Sequence, residues 1–331
     1  MGRLSRSRVL VTGADGFIGS HLVERLLSET ASVRALCVYN SNGSYGWLDE
    51  LESSRVDDID VRLGDVRDSR FVQDTVRGVD IVFHLAALIA IPYSYISPSS
   101  YVDTNVMGTL NVLEAVREAG EVRMVNTSTS EVYGTPETVP ISEKHPLRGQ
   151  SPYAATKIAA DQLCESFARS FGTPVVTLRP FNTFGPRQSA RAVLPTILGQ
   201  LLAGAKQVSL GNLSPRRDLT YVADTVEGFV RMAEAEIAPG SLVQLGTGNA
   251  VSVRDLFDLC CEATGADAEV VVDESRIRPQ AGEVHVLLSD PGRARETLGW
   301  EPRFDLAKGI AETARWLEAR VVRHRALRYQ R

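Results

Sequence analysis

The stretch Val9-Leu-Val-Thr-Gly13-Ala-Asp-Gly16-Phe-Ile-Gly19-Ser-His-Leu22-Val-Glu-Arg-Leu26 decides the fold. Val9 to Thr12 read as a strand, the glycines as a turn, and Ile18, Leu22 and Leu26 recur along one face of a helix. The spacing of the glycines is G-x-x-G-x-x-G. Glycines let the backbone approach a ligand closely, and a helix starting there presents unpaired N–H groups and the positive end of its dipole. A pyrophosphate suits that arrangement, so this strand, turn and helix read as the start of a dinucleotide-binding unit, with Gly13, Asp15, Gly16, Phe17, Ile18 and Gly19 against the cofactor.

Working outward, apolar segments recur at Val33–Val38, Val61–Leu63, Asp80–Leu85, Arg123–Thr127 and Val175–Arg179, with helical stretches between them. Such alternation predicts an α/β fold, a doubly wound parallel sheet with helices on both faces. Gly64-Asp65-Val66-Arg67-Asp68 and His84-Leu85-Ala86-Ala87 end two strands where such a sheet presents its ligand crevice. Either Asp65 or Asp68 also suits the cap of the helix that follows. The acid expected about 20 residues after the glycines, to bind the adenosine ribose, is missing from Val33-Arg-Ala-Leu-Cys37-Val-Tyr39-Asn40. NAD is the expected cofactor, and NADP stays open, with Arg34, Asn40, Ser41 and Ser44 as candidates to hold a 2′-phosphate. After Pro180 the rhythm breaks into loops rich in Pro, Gly and Arg, as expected of a second lobe.

The 331 residues, 44% hydrophobic and 23% charged, make an ordinary folded chain, longer than a bare nucleotide-binding unit needs. The net charge is −5, and without the eight arginines of the two ends (Arg3, Arg6, Arg8, Arg320, Arg323, Arg325, Arg328 and Arg331) it is −13. That balance argues against nucleic acid as a partner. Cys37, Cys164, Cys260 and Cys261 show no C-x-x-C pairing, and no apolar run reaches the length of a membrane span or signal segment. A cytoplasmic protein without a membrane partner is expected. His84 and His145 lack ligand-like spacing, so no metal is expected.

Ser151-Pro-Tyr153-Ala-Ala-Thr-Lys157 places a tyrosine and a lysine one turn apart on a helix opened by proline. A tyrosine, with a reference pKa of about 10, becomes a usable base only beside cations such as lysine and a nicotinamide ring. With the glycine turn, Asn105 in Asp103-Thr-Asn-Val-Met-Gly, Thr129, and Arg179-Pro-Phe-Asn182-Thr-Phe-Gly185-Pro-Arg187, the chain resembles the extended short-chain dehydrogenase/reductases that act on sugar nucleotides: epimerases, dehydratases and decarboxylases. The resemblance implies a Rossmann-type lobe for NAD(P) and a smaller mixed α/β C-terminal lobe for a nucleotide-diphosphate sugar. The first would cover 1–181, with returns near 219–247 and 284–292; the second 182–218, 248–283 and 293–331. It further implies that Asp65, Val66, Leu85, Ala86, Ala87, Asn105, Tyr153, Lys157 and Pro180 line the cofactor, and that Thr129, Asn182, Val193, Arg217 and Arg278 contact substrate. For Arg187 and Arg216, a ligand contact and a solvated loop charge stand equal. A homodimer through the helices near 105–118 and 153–171 is also implied, with Leu163, Phe167 and Phe171 as a candidate stripe that packing within one chain explains equally well.

Asn126-Thr-Ser-Thr129-Ser130-Glu131-Val-Tyr133-Gly134 bears on the reaction. By resemblance, Thr129 bonds the reacting C4 oxygen. Simple 4-epimerases usually carry a small or apolar residue where this chain has Glu131, whereas a 4,6-dehydratase needs a base at C5. Hexose 4,6-dehydratases usually place an aspartate where this chain has Ser130, so the general acid is either Ser130 acting through a water or Glu131 itself. The same run resembles UDP-glucuronate decarboxylases. The flanking sequence, including Asn42–Trp47 and Phe83–Tyr95, resembles N-acetylhexosamine-nucleotide 4,6-dehydratases of the legionaminic acid pathway, with UDP- or GDP-GlcNAc as expected substrate. There the apolar Leu88–Pro92 stretch would lie along the sugar, or equally form a buried helix entry.

Overall fold

The computed structural model describes residues 2–277 and 283–321. Six strands come first: β1 (Arg8–Thr12), β2 (Ser32–Val38), β3 (Ile59–Gly64), β4 (Ile81–His84), β5 (Arg123–Thr127) and β6 (Val175–Pro180). Three short strands, β7 (Asn182–Phe184), β8 (Gln207–Leu210) and β9 (Arg216–Tyr221), then leave the sheet, and β10 (Leu242–Leu245) returns to it. The main sheet runs β3-β2-β1-β4-β5-β6-β10 with every pairing parallel. Strands β4 and β6 are buried from end to end, as strands between two helical layers must be.

Alternation along β1 shows how the layers form. Val9 and Val11 face a core that holds Leu22, Leu26, Phe83, Phe229 and Trp300, while Leu10 faces a second one with Val82, Val112, Val116, Met124 and Phe167. Each such fully buried side chain contributes about 1.5–3 kcal/mol relative to exposure. Local signals set the helix ends. Asp68 caps Ser69–Val76, accepting the N–H groups of Arg70 and Phe71, so of the two candidate acids it is the cap. Ser151 caps Pro152–Phe171, and Gly172, with φ +66°, stops it.

The second lobe holds β11 (Ala250–Ser252), β12 (Glu269–Val272) and β13 (Val286–Leu287). Strand β9 is flanked by β11 and β13 and also pairs with β7, while β8 pairs with β12. The lobe's core gathers Phe184, Leu194, Ile197, Leu198, Phe257 and Ile310 from its strands and three helices. Two boundaries differ from the sequence reading: β13, expected within the 284–292 return to the first lobe, pairs with β9 in the second. Helix Gly292–Leu298, expected in the second lobe, packs Ala294 and Leu298 into the first lobe's core beside Trp300, whose indole N–H donates to the Asp224 carbonyl at 2.8 Å. The proposed dimer stripe also resolves: Leu163 and Phe167 pack within the chain, and only Phe171, under the Arg117 guanidinium, is largely exposed. Among the described residues no helix is long and apolar enough to cross a membrane.

Candidate active site

The chain order of the sheet reverses between β1 and β4, and the crevice lies at their C-terminal ends. Gly13 has φ +68°, and a Cβ there would stand 2.9 Å from the Ala86 backbone; a Cβ on Gly19 would stand 2.1 Å from the Gly13 carbonyl oxygen. These two positions admit only glycine. Gly16 precedes helix Phe17–Leu26, and no side chain caps it. The cradle therefore fits a dinucleotide's diphosphate. Asp15 accepts the Val38 N–H at 3.3 Å, and burial pushes its carboxyl above the usual range. A carboxylate thus stands at the end of β2, where the sequence of β2 supplies none.

The 2′-phosphate candidates are occupied otherwise. Arg34 donates to Asp60 at 2.7 Å and to the carbonyls of Thr75 (2.7 Å) and Arg77 (3.0 Å). Asn40 closes its own loop, accepting from Asn42 and Ser44 and donating to the carbonyls of Val38 and Ser44, while the Ser44 hydroxyl binds Asp49. Ser41 is exposed. Asp65 is gripped by the Arg67 guanidinium and backbone, which holds its carboxyl below the usual range.

Beneath the cradle lies a chain of neutral groups. His84 is buried, with Nδ1 2.8 Å from the Thr12 hydroxyl and Nε2 3.0 Å from that of Thr109. Thr109 donates to the Asn105 carbonyl, so it accepts from Nε2–H; Nδ1 then accepts from Thr12, whose oxygen also takes the N–H groups of Leu85 and Ala86. One tautomer satisfies every partner. Burial pushes the imidazole down to about 3. Asn105, in the π-helical turn Val102–Met107, holds Leu88 by its N–H (2.8 Å) and carbonyl (3.0 Å) and donates to Thr156, which bonds the Tyr153 carbonyl. His145 is structural too: Nε2 accepts the Glu137 N–H, and Nδ1–H donates to the Pro146 carbonyl.

Thr129, Ser130 and Glu131 open a short turn after β5, and Tyr153 and Lys157 face them from helix Pro152–Phe171. Burial raises the Tyr153 phenol; a hydrogen bond from Thr129 opposes the rise and nearby Glu131 reinforces it. Thr129 and Glu131 thus lie within electrostatic reach of the Tyr153 phenol. Burial lowers the Lys157 ammonium against the pull of Asp161, and Nζ donates to the Thr127 carbonyl at 2.6 Å. Ser130 is 2% exposed, enclosed in its turn. Leu88, Ile91 and Tyr101 form an apolar wall against Tyr153, with the two rings edge to face at 6.3 Å.

Pro180 ends β6, and Asn182 follows in β7 with its side-chain oxygen buried and unpartnered. Arg217, on β9, lies 3.7 Å from Glu283, and Val193 opens a second-lobe helix. Arg278 lies outside the described residues. Arg216 is exposed and donates to the Ala250 carbonyl. Arg187 meets neither expectation: with φ +68°, its side chain is buried against Glu24 at 2.9 Å and tied to Ser20, on the cradle's own helix. Sequence reasoning gave no role to Arg179 and Asp161, which form a buried ion pair at 2.7 Å behind the Thr129–Tyr133 turn. The signals were there: an arginine inside the apolar run of β6, and an acid four residues beyond Lys157.

Residues 10–313 match the family model described as GDP-mannose 4,6 dehydratase. Among relatives, a UDP-glucose 4-epimerase of Mycolicibacterium smegmatis is 35% identical over 322 residues, covering 92% of this chain and 97% of its own. A dTDP-glucose 4,6-dehydratase of Streptomyces antibioticus is 33% identical over 312 residues, covering 93% and 91%. The structure of DesIV, a dTDP-glucose 4,6-dehydratase of Streptomyces venezuelae crystallised with NAD, superposes with a TM-score of 0.81 at 29% identity, covering 94% of this chain and 97% of that one. Because the match runs unbroken through both lobes, the chain belongs to the GDP-mannose 4,6-dehydratase family, within the extended short-chain dehydrogenase/reductases that comprise sugar-nucleotide dehydratases and epimerases.

Proposed function

We propose that this chain is an NAD-dependent 4,6-dehydratase of a nucleotide-diphosphate N-acetylhexosamine, UDP- or GDP-GlcNAc, working in the cytoplasm as a homodimer. The observation that carries the reading is Glu131, a carboxylate two residues past Thr129 in the turn packed against the Tyr153 helix, near enough to oppose ionisation of the phenol. The glycine cradle and Asp15 would hold NAD, with which DesIV was crystallised, and NAD would supply a two-electron acceptor for C4 that later reduces C6.

Tyr153 takes the C4 hydroxyl proton. Thr129 donates to the same oxygen, and the Lys157 ammonium, one helical turn from Tyr153, is assigned to favour the phenolate. Once C4 is a carbonyl, the C5 proton is acidic and Glu131 removes it. The C6–O bond then breaks, and Glu131 passes that proton to the departing hydroxyl, which leaves as water. Glu131 is given both tasks because Ser130 is enclosed in its turn. C5 is reprotonated from solvent. The wall of Leu88, Ile91 and Tyr101 suits an acetyl methyl group. Asn182, Arg217 and Arg278 are assigned to the diphosphate, two cations for two phosphates. The dimer is supported by Val102 and Met107, 46% and 44% exposed on the helical segment at Asn105.

Product masses from UDP-, GDP- and dTDP-hexoses and UDP-glucuronate test the reading: loss of water is expected, and loss of carbon dioxide from the uronate would make the chain a decarboxylase. Glu131→Gln is expected to lower turnover roughly 100- to 10,000-fold, the usual weight of a general base, and to abolish deuterium uptake at C5. Full turnover in that variant would overturn the assignment. A second reading, 4-epimerase, is favoured by Ser130 in place of an acid and by the Mycolicibacterium smegmatis relative; an unchanged mass with inverted C4 would select it.

A further inference from the structure

Arg179 lies inside β6, a strand buried along its whole length, with its own side chain 3% exposed. Its guanidinium reaches three groups: NH2 donates to Asp161 Oδ2 at 2.7 Å, Nε to Ser128 Oγ at 3.1 Å, and NH1 to the Tyr133 hydroxyl at 2.7 Å. Asp161 also accepts from the Ser128 hydroxyl and, at 3.4 Å, from Asn126. The Tyr133 hydroxyl donates to Gln244 at 2.8 Å, and Gln244 is anchored to the carbonyls of Ile141 and Asp290. Each partner has a telling place. Ser128 immediately precedes Thr129, Tyr133 follows Glu131 by two residues, and Asp161 lies one helical turn beyond Lys157.

Charge-assisted hydrogen bonds are roughly twice as strong as neutral ones, and the planar guanidinium fixes their directions. In a dry interior such a fork ties its partners into one rigid arrangement. Stability alone does not call for it, since apolar residues of similar volume commonly replace a buried ion pair at no cost. What an apolar replacement cannot do is grip a helix and both ends of a turn at once.

We infer that Arg179, held by Asp161, is the positioning residue that sets the Thr129–Glu131 turn against the Tyr153–Lys157 helix. The Ser128 arm serves Thr129 at C4, and the Tyr133 arm serves Glu131 at C5. The second arm rests on the dehydratase reading above; the first does not.

Two mild variants of the NAD-loaded enzyme, Tyr133→Phe and Ser128→Ala, test it with whichever of UDP-GlcNAc, GDP-GlcNAc and dTDP-glucose turns over. Tyr133→Phe is expected to slow turnover roughly ten- to a hundred-fold, as a small misplacement of a reacting group does, to raise the isotope effect of C5-deuterated substrate and to mask that of C4-deuterated substrate. Ser128→Ala is expected to do the reverse. Without substrate, amide hydrogen exchange of residues 129–134 is expected to quicken in both more than that of the rest of the core, beside the modest fall in melting temperature that a buried group left without its partner brings. Isotope effects that move in the same sense in both variants, or exchange that stays unchanged, overturn the inference. A wild type with no C5 isotope effect and no C5 deuterium uptake fails the dehydratase reading instead, and the C4 effect in Ser128→Ala still decides the role of Arg179.

Discussion

Two buried polar networks support the two halves of the site, and they are made of different material. Under the glycine cradle, Thr12, His84, Thr109 and Asn105 connect β1, β4 and the helical segment above them through neutral groups alone. Under the catalytic turn, Arg179 and Asp161 are ions, with Ser128 and Tyr133 bound to them. The neutral network fixes backbone: the N–H groups of Leu85, Ala86 and Leu88 are its clients. The charged network fixes the turn that carries Thr129 and Glu131, the side chains proposed to react at C4 and C5. Neutral bonds suffice for a cradle that must hold its shape. The turn must hold Glu131 and Thr129 against Tyr153, and there the stronger, directional bonds of a guanidinium are used.

The largest effect should come from cutting the charged network on one side only. Arg179→Met leaves the Asp161 carboxylate buried without its cation, and such a loss typically costs 3–5 kcal/mol. Denaturant unfolding should show that drop, while the double variant Arg179→Met/Asp161→Leu should regain most of the stability and little of the activity. A double variant that regained both would show the ions to be dispensable and erase the contrast between the networks.

The legibility of the molecule follows the same division. The cradle was readable because a close backbone approach demands glycine at fixed positions, and the structure confirms the space at Gly13 and Gly19. The first six strands were readable to within a residue or two because they are written as apolar runs, whereas β10 and the short strands after Pro180 were not. Tyr153 and Lys157 were readable because a helix puts residues four apart on one face. Partnerships between segments distant in sequence were not. Arg34 read equally as a phosphate ligand or a solvated side chain until β3 brought Asp60 beside it, and Arg187 equally as a ligand contact or a loop charge until the fold closed it onto Glu24. The acid missing from β2 is likewise a matter of folding: Asp15 reaches the end of that strand from the glycine turn. Helix Gly292–Leu298 reads along the sequence as part of the second lobe, and the packing of Ala294 and Leu298 beside Trp300 sets it on the first lobe's core.

An effect smaller per pH unit should come from acid, through His84 of the neutral network and through His21, which lies on the cradle's helix with Nε2 3.0 Å from the Pro186 carbonyl. His84 is pushed down to about 3 and His21 to about 4, both chiefly by burial, from an ordinary value of 6.5. The unfolded chain therefore binds protons at these sites that the folded one refuses. Stability is unaffected above the ordinary value and falls as the pH drops below it, at up to about 1.4 kcal/mol per pH unit for each histidine, until the folded forms take the proton near 3 and 4. Protonated His84 would present N–H to both threonines, leaving the Thr12 hydroxyl no acceptor for its own proton. Unfolding midpoints measured downward from neutral pH check the slope. A flat profile above pH 5 would mean that the imidazole is not held neutral, and the contrast would then rest on the wrong charge state.

The smallest effect separates the networks by function rather than by stability. Thr109→Val keeps the shape of the side chain but removes the acceptor of His84 Nε2–H and the donor to the Asn105 carbonyl, at a site 1% exposed. An unsatisfied buried group of this kind costs about 1–3 kcal/mol, whereas Thr109→Ser, losing only a methyl, should cost about 0.8 kcal/mol. Because Thr109 touches the support of Leu88 and not that of Glu131, the valine variant should lower the melting temperature and weaken NAD binding while leaving the ratio of C4 to C5 isotope effects where it was. Should that ratio move as it does in Tyr133→Phe, the two networks act as one body. The cradle and the turn would then be coupled through Asn105, Thr156 and the Tyr153 carbonyl, a hydrogen-bonded path that leads from the cradle's support to the helix facing the turn.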